Sequence, residues 1–252
     1  MSISKPKVSI IIVNYNTKNL TLRCVESVVE SRPGIPYKII VVDNGSTEKL
    51  EESSSYKLME NKENIGLSKT VNQGIKVAKG EYILLLNSDT RVQKNTIDKL
   101  VEFGQSHIDA GVVVPQLLNP DGSTQASAYL LPTVWLAFCP KKLEKFVPKT
   151  DTVPAAVMAA YLITPAALKK VGGLNEKYFL YFEDLDYARE VKKAGLKIYY
   201  LPTAQVIHKH GASGGVTQQL VAAAKLYHGF LGYYLFTFIL WSGQKIKRIL
   251  GT

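Results

Sequence analysis

Cysteine is scarce. Cys24 and Cys139 are the only two in 252 residues. Neither belongs to a Cys-x-x-Cys pair, so a disulfide framework and a zinc site built on cysteines are both excluded. A reducing compartment is expected, with the chain cytoplasmic. Long apolar runs are also missing. A membrane-spanning helix needs about 20 apolar residues, and none is found. No secretory leader is expected, because Val8–Val13 is apolar but short and asparagines follow it. Acids are outnumbered: Asp+Glu total 21 against 31 Lys+Arg, a formal net charge of +10. A basic chain suits an anionic partner, and nucleic acid, a membrane surface and a phosphorylated substrate all qualify. No Gly/Ser-rich linker, internal repeat or low-complexity tract divides the sequence. Length and the 46% hydrophobic fraction suit one α/β domain with a short appendage.

What is present is a set of apolar runs that end in polar residues. Tyr82–Asp89, YILLLNSD, is the most informative. A continuous apolar run of this length reads as a strand buried on both faces. Its Asn87-Ser88-Asp89 ending would face the crevice at the C-terminal edge of a parallel sheet, where ligands sit. Lys7–Asn14 and Tyr37–Val42 have the same form, and the second runs into Asp43-Asn44-Gly45-Ser46. A helical pattern up to Ser31 joins them, with Asn16 or Thr17 as its cap. This βαβ unit predicts parallel strands whose ends, at Asn14 and Asp43, share one edge.

Beyond it, Tyr56–Met59 reads as a short strand, Leu67–Ala78 and Asn95–Ser106 as helices, and Gly111–Pro115 as a further strand. At Gln116 the alternation stops. Asn119-Pro120-Asp121-Gly122 is a turn, and Ser123–Pro148 reads as loops. Val157–Ile163 is apolar again, and Pro165–Val171 is a short helix. A helix from Glu183 to Ala194 stops at Gly195, and Lys197–Leu201 is a strand ended by Pro202. The expected division is a domain over 1–225 and an aromatic, basic helix over 226–252. As a helix, the 16 residues Leu226–Trp241 would span about 24 Å, short of the ~30 Å hydrocarbon core. An interfacial helix and a core or dimer helix fit it equally, so residues 226–248 are a candidate membrane contact.

Four places could carry chemistry. Asp43 could touch a nucleotide base or ribose, or merely form a tight turn. Asp89 could hold Mg²⁺ or Mn²⁺, and through it a diphosphate; hard cations take oxygen ligands of this kind. Capping explains it poorly, since the next helix starts several residues later. Glu183, Asp184 and Asp186 place three acids in one helical turn, more than the helix dipole requires. One of them suits a general base. His208 and His210 are either transition-metal ligands or loop residues without a role.

Together these blocks resemble the family 2 inverting glycosyltransferases of GT-A fold, in the branch that includes bacterial rhamnosyltransferases. The blocks are Val8–Asn16, Val41–Thr47, Asn64–Ile75, Leu84–Thr90, Asn119–Ser123, Val171–Glu190 and His208–Ser213. They follow the family's order. The resemblance implies a Rossmann-like, mostly parallel sheet flanked by helices, with an apolar helical extension. It implies that Asn14, Asn16, Asp43, Asn64 and Gly66 serve the nucleotide-sugar. Asn87-Ser88-Asp89 would stand in for the family's Asp-x-Asp, with Asp89 and His208 on Mn²⁺ or Mg²⁺. Asp184 would be the general base, with Glu183 on the acceptor side. Asn87 departs from the family's first carboxylate. Ala159 and Thr164-Pro165 depart on the acceptor side.

The implied reaction is transfer of a sugar, dTDP-rhamnose or a UDP-hexose being the donor. The acceptor would be a hydroxyl of a glycan or lipid-linked glycan. Cell-envelope polysaccharide synthesis, peripheral on the cytoplasmic membrane face, is the setting. A nucleotidyltransferase would be expected to carry a Gly-rich phosphate loop where Asn14-Tyr15-Asn16-Thr17 stands. A silent sugar-binding module would not need both Asp89 and Asp184. Nucleic acid is not an expected partner, because no reading motif accompanies the scattered lysines.

Overall fold

Strands with polar ends form the middle of the molecule. The computed structural model describes residues 6–149, 151–209 and 217–250, without the side chains of 217 and 243–250. The first half alternates: β1 (Val8–Asn14), α1 (Lys18–Glu30), β2 (Tyr37–Asp43), β3 (Lys57–Glu60), α2 (Leu67–Val77), β4 (Tyr82–Asn87), β5 (Thr90–Val92), α3 (Thr96–Ser106) and β6 (Ala110–Leu118). Then come β7 (Ala128–Tyr129), two 3₁₀ turns at Val134–Phe138 and Pro140–Leu143, β8 (Thr152–Val153), β9 (Ala155–Ala156) and β10 (Ala160–Ile163). α4 (Pro165–Lys170), α5 (Glu183–Lys193), β11 (Lys197–His208), α6 (Thr217–His228) and α7 (Phe230–Leu250) complete it.

The main sheet has 9 strands in the order β3-β2-β1-β4-β10-β6-β11-β5, with β8 on β11. β1, β2, β3 and β4 run parallel, and β6 and β11 are parallel to each other. β10 is inserted antiparallel between β4 and β6. The runs Ile10–Val13, Ile39–Val42 and Tyr82–Leu86 within β1, β2 and β4 are apolar because alternate residues enter two cores. Ile10, Ile12, Val41 and Leu84 join Cys24, Val28 and Leu100 of α1 and α3 on one face. Ile11, Val42, Ile83 and Leu85 join Val71, Ala167 and Tyr187 of α2, α4 and α5 on the other. The result is a three-layer α/β sandwich.

Several local expectations change. Thr17 stands at the N-cap of α1 but makes no side-chain cap bond, since its hydroxyl turns to Asn14 and Ser88. β11 does not end at Pro202. The register slips between Leu201 and Gln205, which passes the proline, and pairing with β6 resumes at Gln205–Gln116. The same resumption carries β6 past Gln116 to Leu118. β5 was not expected; it is an edge strand held by the far half of β11, with Thr90 opposite His208. At the C-terminus the helix turns at Gly229, φ +72°, between α6 and α7. Among the described residues, no helix is long and apolar enough to cross a membrane.

Candidate active site

Parallel pairing brings the polar ends of β1, β2 and β4 to one edge. Asn14 lies opposite Asp43, and Val13 opposite Asn87. Asn14 and Asp43 are both fully buried. Asn14 Nδ2 donates to Asp43 Oδ1 (2.9 Å) and to Ser46 Oγ (3.0 Å). Its Oδ1 accepts from Thr21 (2.8 Å) and Thr17 (3.1 Å). Asp43 Oδ1 also accepts from the Ser46 hydroxyl, and Oδ2 lies 3.3 Å from Lys49 Nζ. The Asp43 carboxylate thus organises its turn from inside, and Thr17 carries the network across to Ser88 Oγ at 2.9 Å. Asn16, at φ +54°, turns outward, and its Oδ1 accepts from Thr47 N–H (2.9 Å).

The next loop is packed onto this turn. Asn44 Nδ2 donates to Asn64 Oδ1 (2.8 Å), and Ile65 N–H donates to Asn44 Oδ1 (3.1 Å). Gly45 at φ +79° has no room for a Cβ, which would fall 2.4 Å from the Glu63 backbone. Gly66, at φ +91°, abuts Phe179 in the same way, with a Cβ 2.8 Å from its ring. Leu67 N–H donates to Phe179 O (2.7 Å). This contact joins the Asn64–Gly66 loop to the segment that leads into α5.

Asp89 and His208 meet across β5 and β11. Asp89 Oδ1 is 3.4 Å from His208 Nε2, and both side chains are nearly covered. His208 Nδ1 is 2.8 Å from Gln125 Oε1, whose amide Nε2 is given to Asn119 Oδ1 (2.9 Å). An oxygen can only accept, so the proton belongs on Nδ1. The bare Nε2 of a neutral ring then faces a carboxylate oxygen, and two acceptors so close need a positive charge between them. A second proton or a cation both meet that need. Two ligands of one ion at about 2.1 Å and a right angle lie roughly 3 Å apart, so this donor pair fits a Mg²⁺- or Mn²⁺-sized ion. No group of three or more His, Cys, Asp or Glu side chains able to hold a metal occurs among the described residues. Any ion here would have two ligands among the described residues, the others coming from elsewhere. His210 lies outside the described residues.

α5 opens abruptly. Tyr181 and Phe182 both adopt left-handed backbone, φ 71° and 65°, just before Glu183 and Asp184. Such pairs of non-glycine residues cost about 1–3 kcal/mol each and mark functional turns. Glu183 is buried, and its Oε2 has no hydrogen-bond partner among the described residues. Burial first, and then the neighbouring Asp184 charge, hold its carboxyl well above the usual carboxylate range. Asp184 is half-buried. Burial raises its pKa as well, opposed by the Leu185 N–H at 2.8 Å, its own N–H and the Lys145 charge. Its field is felt by Tyr129 and by Tyr161, whose buried hydroxyl has no partner among the described residues. Asp186 is structural: it pairs with Arg189 and accepts from Tyr178 (3.2 Å).

Asp184 and the strand edge share the same neighbourhood through β10. Tyr161 pairs with Leu85 of β4, and Asn87 N–H donates to Ala159 O at 2.9 Å. Ala159 and Thr164 are buried, and Thr164 caps α4 by accepting from Ala167 N–H. The hollow lined by Tyr37–Ile39 and Ser53–Lys57 lies at the opening end of β2, away from all these residues. Ser46, Thr21, Gln125, Tyr129, Lys145 and Tyr161 were not expected from the sequence. Only Ser46, inside the block Val41–Thr47, stood near a recognised signal.

The fold defines a class: a nucleotide-binding type of α/β sandwich with an antiparallel insert, as in GT-A glycosyltransferases. Human-readable likenesses agree. A structure of GalNAc-T7 with UDP, GalNAc and Mn²⁺ matches with TM-score 0.70 over 88% of this chain and 48% of that one, at 19% identity. A structure of S. aureus TarS 1–349 with UDP-GlcNAc matches with TM-score 0.60 over 93% and 70%, at 18% identity. Residues 9–166 match the model of glycosyl transferase family 2. The chain belongs to that family, and it is a glycosyltransferase. Among curated relatives, an N-acetylglucosaminyl-diphospho-decaprenol L-rhamnosyltransferase of Mycobacterium tuberculosis is 27% identical over 212 residues, 71% of this chain and 69% of that protein. The low-salt glycan biosynthesis hexosyltransferase Agl10 of Haloferax volcanii is 28% identical over 222 residues, 79% and 66%. The chain therefore spans about two thirds of the length of these relatives.

Proposed function

We propose that this glycosyltransferase moves a hexosyl or deoxyhexosyl group from a nucleoside-diphosphate donor to an acceptor hydroxyl, with inversion at the anomeric carbon. The observation that carries the reading is Asp184: a half-buried carboxylate at the start of α5, raised in pKa by burial, whose charge reaches Tyr161 on β10, the strand paired with β4. In the proposed reaction Asp184 accepts the acceptor's hydroxyl proton as its oxygen attacks, and the nucleoside diphosphate leaves from the opposite face. A raised pKa suits a base that must keep the proton it receives. A single displacement needs no second carboxylate as nucleophile, so Glu183 is free to stay protonated and line the acceptor side.

On the donor side, Asn16, Asn64 and Gly66 are assigned to the nucleotide, and Asn14 and Asp43 shape that pocket from beneath. For Asp43 to touch the base, its carboxylate would have to exchange Lys49 for it. Asn87 and Ser88 line the turn next to Asp89. Asp89 and His208 would hold Mn²⁺ or Mg²⁺, which when bound neutralises charge on the leaving diphosphate. The relatives' names, a rhamnosyltransferase and a hexosyltransferase, support a rhamnosyl or hexosyl donor, for which dTDP-rhamnose or a UDP-hexose is proposed. The same names support a glycan or lipid-linked glycan as acceptor; cell-envelope synthesis at the cytoplasmic membrane face is the setting proposed with it.

A thermal-shift screen of nucleotide-sugars, each with and without Mn²⁺ or Mg²⁺, tests the donor assignment. A donor that binds only the native state raises apparent stability. The stabilising donor should then be hydrolysed slowly without acceptor. Stabilisation with no hydrolysis at all would indicate a binding module instead.

A further inference from the structure

Six large apolar side chains stand exposed on α7: Phe230, Leu231, Tyr234, Leu235, Phe238 and Trp241. Their helical spacing puts them along a single stripe. Other parts of α7 pack on α6 and on the 3₁₀ turn Val134–Phe138. That turn adds two more aromatics beside the stripe, Trp135 at 81% exposure and Phe138 at 63%, their rings 6.4 Å apart. A surface this apolar, drawn from segments about a hundred residues apart, marks an interaction site.

The surrounding charge selects the occupant. After Glu190 the sequence contains no Asp or Glu, while it carries Lys225, Lys245, Lys247 and Arg248 around and within the aromatic stretch. Lys141 and Lys142 are exposed immediately after Phe138. Aromatic residues flanked by cations are the composition of a helix that lies in a lipid headgroup region. A second copy of this chain would set lysines against lysines; an anionic bilayer would neutralise them. We propose that the outward face of α7, together with Trp135 and Phe138, docks this protein on an anionic lipid surface.

The face has a fixed relation to Asp184. The loop carrying Trp135 and Phe138 runs between Tyr129 and Lys145, both of which interact electrostatically with Asp184. α6 is clamped to α5 by Arg189, which lies 4.4 Å over the Tyr227 ring, donates to Tyr227 O (3.2 Å) and pairs with Asp186. Phe182, next to Glu183, also packs on Tyr227 at 5.3 Å. Docking would therefore hold the segments around Asp184 close to the lipid surface, where a lipid-linked acceptor presents its hydroxyl. This last step rests on the transfer reading; the lipid contact itself does not.

The chain's two tryptophans, Trp135 and Trp241, both lie on this face and serve as its reporters. The experiment uses Trp135→Phe and Trp241→Phe in the full chain, with vesicles of phosphatidylcholine alone or mixed with phosphatidylglycerol. The expected result is a blue shift of the remaining tryptophan in each variant, with phosphatidylglycerol only, reversed by high salt. Wild type should pellet with the same vesicles. Trp135→Ser/Phe138→Ser and the surface variant Lys141→Glu/Lys142→Glu should each lower partitioning by roughly tenfold or more. The lysine variant should keep donor binding and transfer to a soluble acceptor, so a failed transfer reading shows separately as absent donor hydrolysis and transfer in wild type. Unchanged emission from both tryptophans overturns the proposal, as does wild-type pelleting of both double variants. So does light scattering that shows a dimer which these variants dissociate while wild type ignores vesicles.

Discussion

Asn14 and Asp43 are fully buried and their side chains are taken up by one another, by Ser46, Thr17, Thr21 and Lys49. Glu183 Oε2 and the Tyr161 hydroxyl are buried with no hydrogen-bond partner among the described residues. Each such orphan costs about 1–3 kcal/mol relative to a satisfied group. The strand-end half of the site is therefore built to keep its shape alone. The α5 half carries strain at Tyr181 and Phe182 and polar atoms that a ligand can complete. A rigid template on the donor side and an unsatisfied acceptor side is a division that mutations can test.

The largest effect should come from Asp184→Asn. Donor binding should survive, and turnover should fall about 10²–10⁴-fold, the usual worth of a positioned base. In wild type, kcat should fall on the acid side at a pH above the ordinary carboxylate range. Burial favours the protonated form of Asp184, and a protonated base cannot accept the acceptor's proton. Near wild-type turnover by the amide would move the base elsewhere and break the division at its centre.

Asp89→Ala addresses the junction between the halves. Calorimetry with and without Mn²⁺ should show that wild type gains donor affinity from the ion, and that the variant loses at least roughly tenfold of it. His208→Ala should behave alike, since the two side chains face each other at 3.4 Å. Equal affinities with and without Mn²⁺ in wild type would assign the pair to an ordinary ion pair.

How much of this was legible is itself divided along the same line. β1, β2 and β4 announced themselves because strands buried on both faces carry a continuous apolar run up to the ligand edge. Their parallel order followed from a short helical crossover. The second half was harder. β11 crosses a proline by slipping register, a tertiary solution that local rules read as a stop. There Ala204, Val206 and His208 are buried at every second position, a period that Ile207 and His208 hide in the letters. Gln125, Lys145 and Tyr129 reach the site from a loop without periodicity, and Gln125 lies 83 positions from the histidine it orients. No local signal marks such a residue. The Asp43-Asn44-Gly45-Ser46 turn illustrates the limit in reverse: its residues were legible, but not that the carboxylate would point inward.

Asn14→Ala should be a stability variant first. It removes a donor from Asp43 and an acceptor from Thr17 and Thr21 in a fully buried place. Urea unfolding should show a loss of about 1–3 kcal/mol. A loss below that range would mean that water or Lys49 readily takes the amide's place, and that the donor half is less rigid than its hydrogen bonds suggest.

Glu183→Gln should do the opposite, with the smallest change. Burial lets folded Glu183 keep its proton to higher pH than the unfolded chain does. The folded state then binds more protons through that window, so wild-type stability falls as pH rises from the ordinary carboxylate range upward. The glutamine has no proton to lose and removes this slope. Stability should match wild type in acid and exceed it increasingly as pH rises towards neutrality, the gap levelling once folded Glu183 also ionises. Turnover near neutrality should persist, because the glutamine imitates the protonated acid beside Asp184. Parallel pH–stability curves for the two proteins would show that Glu183 is ionised and paired in the folded chain, and the contrast between the two halves would then rest on Tyr161 alone.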